Sequence, residues 1–348
     1  MPETLLIRAD AGPEIGIGHV MRCLALAQAW QVQGGAAVFA LASAPRDLGE
    51  RLGAEGFAMG SIKGRAGHAD DARETAALAR GCSAGCVVLD GYQFDADYRR
   101  TLGRLDARLL LVVDGVGAGA AGADVVLDQN LGASQAELSG EGSRTRFLLG
   151  PRYALLRREF WRWRGWRHEI VRPAQRVLVT FGGGDFDNLA LRALQALRLL
   201  PEASALEVRV VVGPANRHRA SLENELLMAP AGWVLVTAPA DMSALIAWAD
   251  LCISAAGSTC WELAFLGSPF VTIVLAENQR AIAADLSRAG LSKNLGWHEG
   301  VSAERLSESI GELLDDVASR TEMSRLGQET VDGFGAERVA SVLSRVAA

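Results

Sequence analysis

Short apolar runs, separated by stretches that favour helix, recur along the whole chain. In the first half they cover residues 5–9, 37–42, 86–90, 109–113, 125–127 and 147–149. In the second half they cover residues 176–181, 206–212, 233–236, 251–254 and 270–275. Several runs are apolar throughout rather than alternating, which is typical of parallel strands that helices cover on both faces.

The segments between these runs are rich in Ala, Leu and Arg, which favour helix. Strand and helix therefore alternate through two successive series. This pattern predicts an α/β chain of two doubly wound, Rossmann-like domains that face a cleft. Ligands of such domains bind at the carboxyl ends of the strands.

A change of composition separates the two series, since residues 157–168 are rich in Arg and Trp. We interpret residues 1–156 as an N-terminal domain, 157–173 as a linker, and 174–348 as a C-terminal domain with a helical tail. The linker aromatics are expected to pack at a domain seam, with their arginines solvated. A peripheral membrane or polyanion patch is the alternative, which the net charge of −6 weakens.

Composition and charge exclude several classes of protein. The negative net charge argues against a general nucleic-acid binder. The five cysteines are scattered, with one C-x3-C spacing and no second pair, which argues against a zinc site and fits a reducing, cytoplasmic compartment. Neither a signal-peptide pattern nor an apolar run of about 18 residues is present, so no stable membrane insertion is expected.

The first strand leads into a glycine-rich turn that precedes a predicted helix. Gly16 and Gly18 let a ligand approach the backbone, and the helix start offers N–H groups that suit phosphate. His19 adds an imidazole there, so the turn predicts a nucleotide-type ligand beside a proton-transfer group. A dinucleotide fingerprint would need a small residue in place of Met21, and neither of the two lysines lies in a P-loop.

Two further small-residue loops follow strands of the second half. Residues 182–184 are three consecutive glycines, whose amides can contact a phosphate. Residues 255–259 place small and hydroxyl-bearing side chains at a helix start, where a diphosphate is expected. Glu262 can accept hydrogen bonds from ribose hydroxyls, although an acid in a first helical turn also simply stabilises the helix dipole. The two loops together favour nucleotide binding.

Taken in order, the motifs of this chain resemble the PseG-type UDP-sugar hydrolases of the pseudaminic acid pathway, within the GT-B glycosyltransferase-like superfamily. The resemblance is carried by Arg8-Ala9-Asp10, Ile15-Gly16-Ile17-Gly18-His19-Val20-Met21-Arg22, Asp90-Gly91-Tyr92, residues 150–160, 182–185 and 254–262, and Glu277-Asn278-Gln279. Gly91 and Gly184 depart from the family pattern. The first change leaves the surroundings of Tyr92 open, and the second removes one possible phosphate-binding hydroxyl.

The resemblance implies hydrolysis of UDP-2,4-diacetamido-2,4,6-trideoxy-β-L-altropyranose, in which water displaces UDP with inversion and without metal or other cofactor. His19 is the expected catalytic base, because an imidazole can accept a proton near neutral pH. Tyr92 is expected to orient the water or the sugar. The other residues expected to bind substrate are Arg8, Asp10, Gly18, Arg22, Gly183, Gly184, Gly257, Ser258, Thr259, Glu262, Asn278 and Gln279.

Alternatives remain for the reaction as a whole and for the roles of single residues. A GT-B inverting glycosyltransferase with a UDP-amino-sugar donor would use the same base to activate an acceptor hydroxyl. A non-catalytic sugar-nucleotide binder would keep the loops without the reaction. Taken singly, His19 could cap a helix, and Tyr92 could serve only packing.

Overall fold

The computed structural model of the protein describes residues 3–12, 15–115, 119–135, 145–183, 185–213 and 216–345. The chain divides into two compact units. Unit 1 consists of Met1–Arg158 together with Gly333–Ala348, and unit 2 consists of Glu159–Asp332. Each unit is built around one parallel sheet, as the alternating pattern predicts.

In the described residues, unit 1 contains a seven-stranded parallel sheet. Its strands are β1 (Thr4–Ala9), β2 (Ala37–Leu41), β3 (Ala58–Ser61), β4 (Ala84–Asp90), β5 (Arg108–Val112), β6 (Val125–Asp128) and β7 (Arg146–Leu149). Its helices are α1 (Gly18–Val32), α2 (Arg46–Ala54), α3 (Ala69–Gly81), α4 (Ala96–Leu102) and, late in the chain, α13 (Gly335–Arg345). A 3-10 turn, Pro151–Tyr153, follows β7.

The strand order of unit 1 is β3-β2-β1-β4-β5-β6-β7. The chain leaves β1 towards β2 on one side and later returns to β4 on the other side. The carboxyl ends of β1 and β4 therefore flank the topological switch point, where doubly wound sheets bind ligands. Leu5, Leu6 and Ile7 of β1 are all fully buried, which explains why this run is apolar throughout.

Unit 2 repeats this plan with six strands in its described part. They are β8 (Arg176–Thr180), β9 (Glu207–Val212), β10 (Trp233–Thr237), β11 (Leu251–Ala255), β12 (Phe270–Val274) and β13 (Lys293–Trp297), in the order β10-β9-β8-β11-β12-β13. The helices are α5 (Arg158–Trp161), α6 (Leu189–Arg198), α7 (Arg219–Leu227), α8 (Met242–Trp248), α9 (Thr259–Leu266), α10 (Gln279–Arg288), α11 (Ala303–Asp315) and α12 (Val317–Thr330). The switch point lies between β8 and β11.

Two strands lie outside the apolar runs that the sequence offers. β3 has the sequence Ala-Met-Gly-Ser, and β13 has the sequence Lys-Asn-Leu-Gly-Trp. Both are edge strands of their sheets and stay partly exposed. A strand that pairs on one side only needs no continuous apolar run, so its sequence carries little signal.

The last helix packs on unit 1, whereas the sequence places it in the tail of the C-terminal domain. α13 packs against α1. A Cβ on Gly335 would lie 2.2 Å from the carbonyl oxygen of Ala154, so only glycine permits this backbone approach. The Arg338 guanidinium then donates to the carbonyl of Arg152 at 2.8 Å. These contacts fix the start of α13 beside the 3-10 turn after β7.

Residues 159–173, which the sequence presents as a linker, belong to unit 2. The Ser243 hydroxyl on α8 donates to the carbonyl of Glu159 at 2.9 Å and accepts the indole N–H of Trp163 at 2.8 Å. Trp163 in turn packs edge-on against Trp166, with ring centroids 4.9 Å apart. The segment is therefore anchored within unit 2 by specific contacts. None of the helices in the described ranges is long and apolar enough to cross a bilayer.

Candidate active site

The switch point of unit 1 brings His19 to Asp90. β1 and β4 are adjacent and parallel, with Ala9 opposite Asp90 at their carboxyl ends. The turn after β1 leads directly into α1, which begins at Gly18, so His19 stands in its first turn. Arg22 lies three residues later, on the same face of the helix. The strand order thus brings an imidazole, a guanidinium and a carboxylate together at the carboxyl ends of β1 and β4.

These three side chains form a tight hydrogen-bonded cluster. Asp90 Oδ1 lies 2.6 Å from His19 Nδ1. Arg22 donates to both oxygens of Asp90, from Nε to Oδ2 at 2.6 Å and from Nη2 to Oδ1 at 2.7 Å. Because an ionised carboxylate only accepts, its contact with Nδ1 assigns the proton of the neutral imidazole to that nitrogen. Nε2 then carries the lone pair that can take a proton.

A second carboxylate, Asp114, extends the cluster across the sheet. It follows β5, which neighbours β4. Arg22 Nη1 donates to Asp114 Oδ1 at 2.6 Å, and the Tyr92 hydroxyl donates to Oδ2 at 3.1 Å. The Tyr92 ring also packs edge-on against the His19 imidazole, with centroids 5.3 Å apart. We call His19, Arg22, Asp90, Tyr92 and Asp114 the imidazole cluster.

The imidazole cluster holds two carboxylates beside one guanidinium. Burial alone would raise the pKa of Asp90, but the charge of Arg22 and the hydrogen bonds from Arg22 and His19 hold it well below its usual value. Burial would likewise raise the pKa of Asp114, but the charge of Arg22 lowers it below its usual value. Two ionised carboxylates therefore share one guanidinium. With a neutral His19 the cluster carries one excess negative charge, which a proton on the imidazole would cancel.

Arg8 and Asp10 support the loops around this cluster from the inside. Arg8 is fully buried, and Nε and Nη2 donate to the two oxygens of Asp71 at 2.9 and 2.8 Å. It also pairs with Asp10 at 2.7 Å. Asp10 accepts the backbone N–H groups of Ala42 and Ser43 at 2.8 and 3.2 Å. Arg8 is thus held in a buried ion-pair network, and its expected contact with the substrate stays a prediction.

The glycine loop of unit 2 leads into a capped helix start. Gly183 lies after β8, next to the switch point, and Gly184 lies outside the described residues. Asp185 caps α6, because its two oxygens accept the N–H groups of Leu189 and Ala190 at 2.7 and 2.9 Å. Burial raises the pKa of this carboxyl. The sequence offers Asp185 as part of the loop motif, and in the structure its carboxylate satisfies the first N–H groups of α6 from three residues before the N-cap residue Asn188.

The loop after β11 stands on the other side of the same switch point. Gly257, Ser258 and Thr259 are partly exposed and open α9, and no side chain of its own caps this helix start. A Cβ on Gly257 would meet nothing within 4 Å, so space is free above that residue. Glu262 lies in the first turn and is 7% exposed. This arrangement leaves backbone N–H groups available for an anion.

The third expected segment follows β12, the next strand of the sheet. Asn278 is exposed, and the side-chain carbonyl of Gln279 accepts the backbone N–H of Leu275 at 2.9 Å. Parallel pairing of Thr180 with Ser254, and of Ser254 with Thr272, aligns the three strand ends. The predicted binding residues of unit 2 therefore share one sheet edge. Their contact with a ligand stays a prediction.

Asp114 and Asn130 were not identified as site residues from the sequence. Asp90 was included only as part of the motif Asp90-Gly91-Tyr92. Asn130 Nδ2 donates to Asp114 at 3.3 Å and to Asp128 at 2.8 Å. A signal was available, because two apolar residues and an aspartate end the runs of three neighbouring strands, at residues 88–90, 112–114 and 126–128. Within the described ranges, no group of three His, Cys, Asp or Glu side chains could hold a metal ion.

Comparisons with known proteins agree with this architecture. Residues 176–334 match the glycosyltransferase family 28 C-terminal domain. MurG of Acinetobacter baumannii superimposes with a TM-score of 0.66 over 98% of this chain and 99% of its own, at 19% identity. The spinosyn rhamnosyltransferase SpnG, complexed with thymidine diphosphate, gives a TM-score of 0.67 over the same shares, also at 19% identity. The chain has the GT-B glycosyltransferase fold.

A curated relative at the sequence level is the spore coat polysaccharide biosynthesis protein SpsG of Bacillus subtilis (strain 168). It is 26% identical over 238 residues, which cover 68% of this chain and 69% of the relative. The predicted fold is thus confirmed, with two parallel-sheet, Rossmann-like units. At these identities the solved structures establish the fold and leave the reaction to be argued from the site.

Proposed function

We propose that the protein hydrolyses a UDP-linked amino sugar by direct attack of water on the anomeric carbon. The observation that carries this proposal is the 2.6 Å contact between His19 Nδ1 and Asp90 at the switch point of unit 1. It orients the imidazole, leaves Nε2 as the proton acceptor, and stabilises the imidazolium that forms. An oriented base of this kind typically contributes about 10²–10⁴-fold to the rate.

Charge supports the same role for His19. The imidazole cluster holds one excess negative charge while the imidazole is neutral, and it becomes neutral overall when the imidazole takes up the proton of water. The transfer thus reduces the buried charge imbalance that Asp90, Asp114 and Arg22 create. General base catalysis needs a group whose surroundings favour uptake at the moment of attack.

Unit 2 is proposed to supply the leaving-group site. The amides around Gly183 and Gly257–Ser258, with the Thr259 hydroxyl, would bind the diphosphate, because helix starts and glycine loops offer donors to anions. Glu262 would accept hydrogen bonds from ribose hydroxyls. Donors aimed at the departing diphosphate stabilise the charge that develops there in the transition state.

The sugar class follows from the resemblance of the ordered motifs to PseG-type hydrolases. On that basis the substrate is UDP-2,4-diacetamido-2,4,6-trideoxy-β-L-altropyranose, and the reaction inverts the anomeric centre. Asn278 and Gln279 belong to the same proposal as substrate contacts. The protein would act without metal or other cofactor.

The deciding experiment incubates the purified protein with this UDP-sugar, without acceptor or added metal. Proton NMR follows the release of UDP and the anomer of the free sugar that forms first. Release of the inverted anomer supports direct attack of water. Binding of UDP without release of sugar would contradict the hydrolase and leave either a different donor or a binding protein.

A second candidate is an inverting glycosyltransferase with a UDP-amino-sugar donor. The match of residues 176–334 to the C-terminal domain of glycosyltransferase family 28 favours it. The same His19–Asp90 pair would then deprotonate an acceptor hydroxyl. Donor consumption that depends on an added sugar acceptor would support this candidate, whereas consumption in water alone supports the hydrolase.

A further inference from the structure

Asp114 is a buried carboxylate that receives hydrogen bonds from three different elements. Its side chain is 9% exposed. Oδ1 accepts from Arg22 Nη1 on α1 at 2.6 Å and from Asn130 Nδ2 after β6 at 3.3 Å, and Oδ2 accepts the Tyr92 hydroxyl after β4 at 3.1 Å. Two of these three donors, Arg22 and Tyr92, also touch the imidazole of His19.

Asp114 is itself held through residues at the end of β6. Asp128 accepts the backbone N–H and the side-chain amide of Asn130 at 2.9 and 2.8 Å. It also accepts the N–H of Gly115, the residue after Asp114, at 2.9 Å. A buried polar group that is satisfied on every side keeps one geometry. The β6 end therefore fixes where the Asp114 carboxylate can stand.

The guanidinium of Arg22 is shared between two carboxylates. Nε and Nη2 bind Asp90, and Nη1 binds Asp114. A planar guanidinium whose nitrogens are bound to two carboxylates cannot rotate without breaking those hydrogen bonds. Arg22 Nη2 also lies 3.2 Å from His19 Nδ1, so a rotation of the guanidinium would disturb the contact between Asp90 and the imidazole.

Tyr92 provides the second route from Asp114 to His19. Its side chain is 62% exposed, an unusual position for a ring that packs on another ring. The hydrogen bond to Asp114 holds the hydroxyl end, and the ring edge then meets the imidazole at an interplanar angle of 82°. Loss of this bond would remove the contact that holds the hydroxyl end of the ring beside Asp114.

We propose that Asp114 is a positioning residue, which sets the orientation of His19 through Arg22 on one side and through Tyr92 on the other. The kinetic part of this inference rests on the proposed base role of His19, and the spectroscopic part does not. Asp114 also supplies the second negative charge of the imidazole cluster.

The test compares Asp114→Asn with Tyr92→Phe, with the double variant, and with Glu50→Gln as a matched control. Glu50→Gln also removes one carboxylate charge, but from an exposed pair with Arg46. We expect Asp114→Asn to lower kcat by roughly 10- to 100-fold with KM nearly unchanged, because misplacing a reacting group by about 1 Å can cost up to 10². Glu50→Gln should leave both constants unchanged.

The double variant separates positioning from general loss of packing. If the Tyr92 hydroxyl acts through Asp114, then Tyr92→Phe lowers kcat in the wild-type background and adds nothing in the Asp114→Asn background. Fully additive losses would overturn the claim that the two residues act along one route.

A spectroscopic measurement tests the position of His19 independently of turnover. The Nδ1 proton of His19, bonded to Asp90, should give its own signal in ¹H–¹⁵N NMR spectra, and Asp114→Asn should shift or abolish it while Glu50→Gln leaves it in place. An unchanged signal together with unchanged kcat would overturn the proposal. Should wild-type protein turn over no UDP-sugar, the proposed function fails, and the signal alone decides the role of Asp114. If Asp114→Asn does not fold, Asp114→Glu is read in the same way.

Discussion

At the scale of single residues, the chemistry of His19 is decided by partners that are distant in sequence. Asp90 lies 71 positions away and fixes Nδ1, while Arg22 binds both oxygens of that carboxylate. The sequence could place His19 and Arg22 together, because they share one helical face. It could not place Asp114, since its contact with Arg22 depends on the order in which β1, β4 and β5 pair.

Replacing His19 by Asn tests the base directly. We expect His19→Asn to abolish turnover, because an amide cannot accept the proton of water, and to leave UDP affinity unchanged. Steady-state kinetics and titration calorimetry with UDP measure the two effects. The control is His68→Asn, which changes an exposed histidine. Near-normal activity of His19→Asn would remove His19 as the base.

Glu262 gives a second test at the residue scale. Glu262→Ala should weaken UDP binding roughly tenfold, the effect of about 1.4 kcal/mol, which is typical of one lost hydrogen bond to a charged group. The preference among UDP-sugars should not change, because ribose is common to all of them. Competition binding with UDP measures the loss. Unchanged affinity would assign Glu262 to the dipole of α9 instead.

At the scale of elements, the central strands and the edge strands β7 and β10 were predictable from apolar runs, whereas the edge strands β3 and β13 were not. β1 and β4 are apolar because helices cover them, whereas β3 and β13 are paired on one side only. The packing of α13 on unit 1 was also not predictable from the sequence. It depends on the absence of a side chain at Gly335, which lets the backbone approach Ala154. A pattern of periodicity cannot report a backbone contact between segments that lie some 180 residues apart.

Gly335→Ala tests this packing. The added Cβ would lie 2.2 Å from the carbonyl oxygen of Ala154, so the start of α13 must move. We expect a loss of about 1–3 kcal/mol in the free energy of unfolding, as for other overpacked sites. Gly53→Ala is the matched control, because its Cβ in α2 would meet nothing within 4 Å. Equal melting temperatures of the two variants would contradict the role of Gly335.

At the scale of the whole molecule, the plan of two parallel sheets was predictable and its division of the chain was not. The apolar runs sufficed to predict most of the strands, whereas the order in which they pair, and with it the position of each switch point, came from the structure. The boundary depends instead on contacts such as that of Ser243 with Glu159, which draws residues 159–173 into unit 2. A hydroxyl and a carbonyl leave no pattern in the sequence that would reveal their pairing.

Stability of the molecule should depend on pH through His168. Both its ring nitrogens are buried, and burial lowers its pKa to about 4, against the opposing effect of Asp250. Between pH 6.5 and 4 the unfolded chain binds a proton at this site and the folded chain does not, so stability falls as the pH falls. From pH 7 to pH 5 the expected loss is about 2 kcal/mol.

Urea unfolding at the two pH values measures this dependence, with His168→Gln as the comparison. The variant lacks the titrating group, so its stability should change less between pH 7 and pH 5. An identical change in both proteins would exclude His168 as the source.

The return of α13 to unit 1 has a consequence for how the protein is made. All described strands of the first sheet leave the ribosome before any described strand of the second, yet the helix that packs on α1 is translated only after unit 2. Unit 2 is contiguous and can complete its fold during synthesis, as domains generally do. The nascent chain therefore carries its proposed catalytic half with one face of α1 uncovered until unit 2 has been translated.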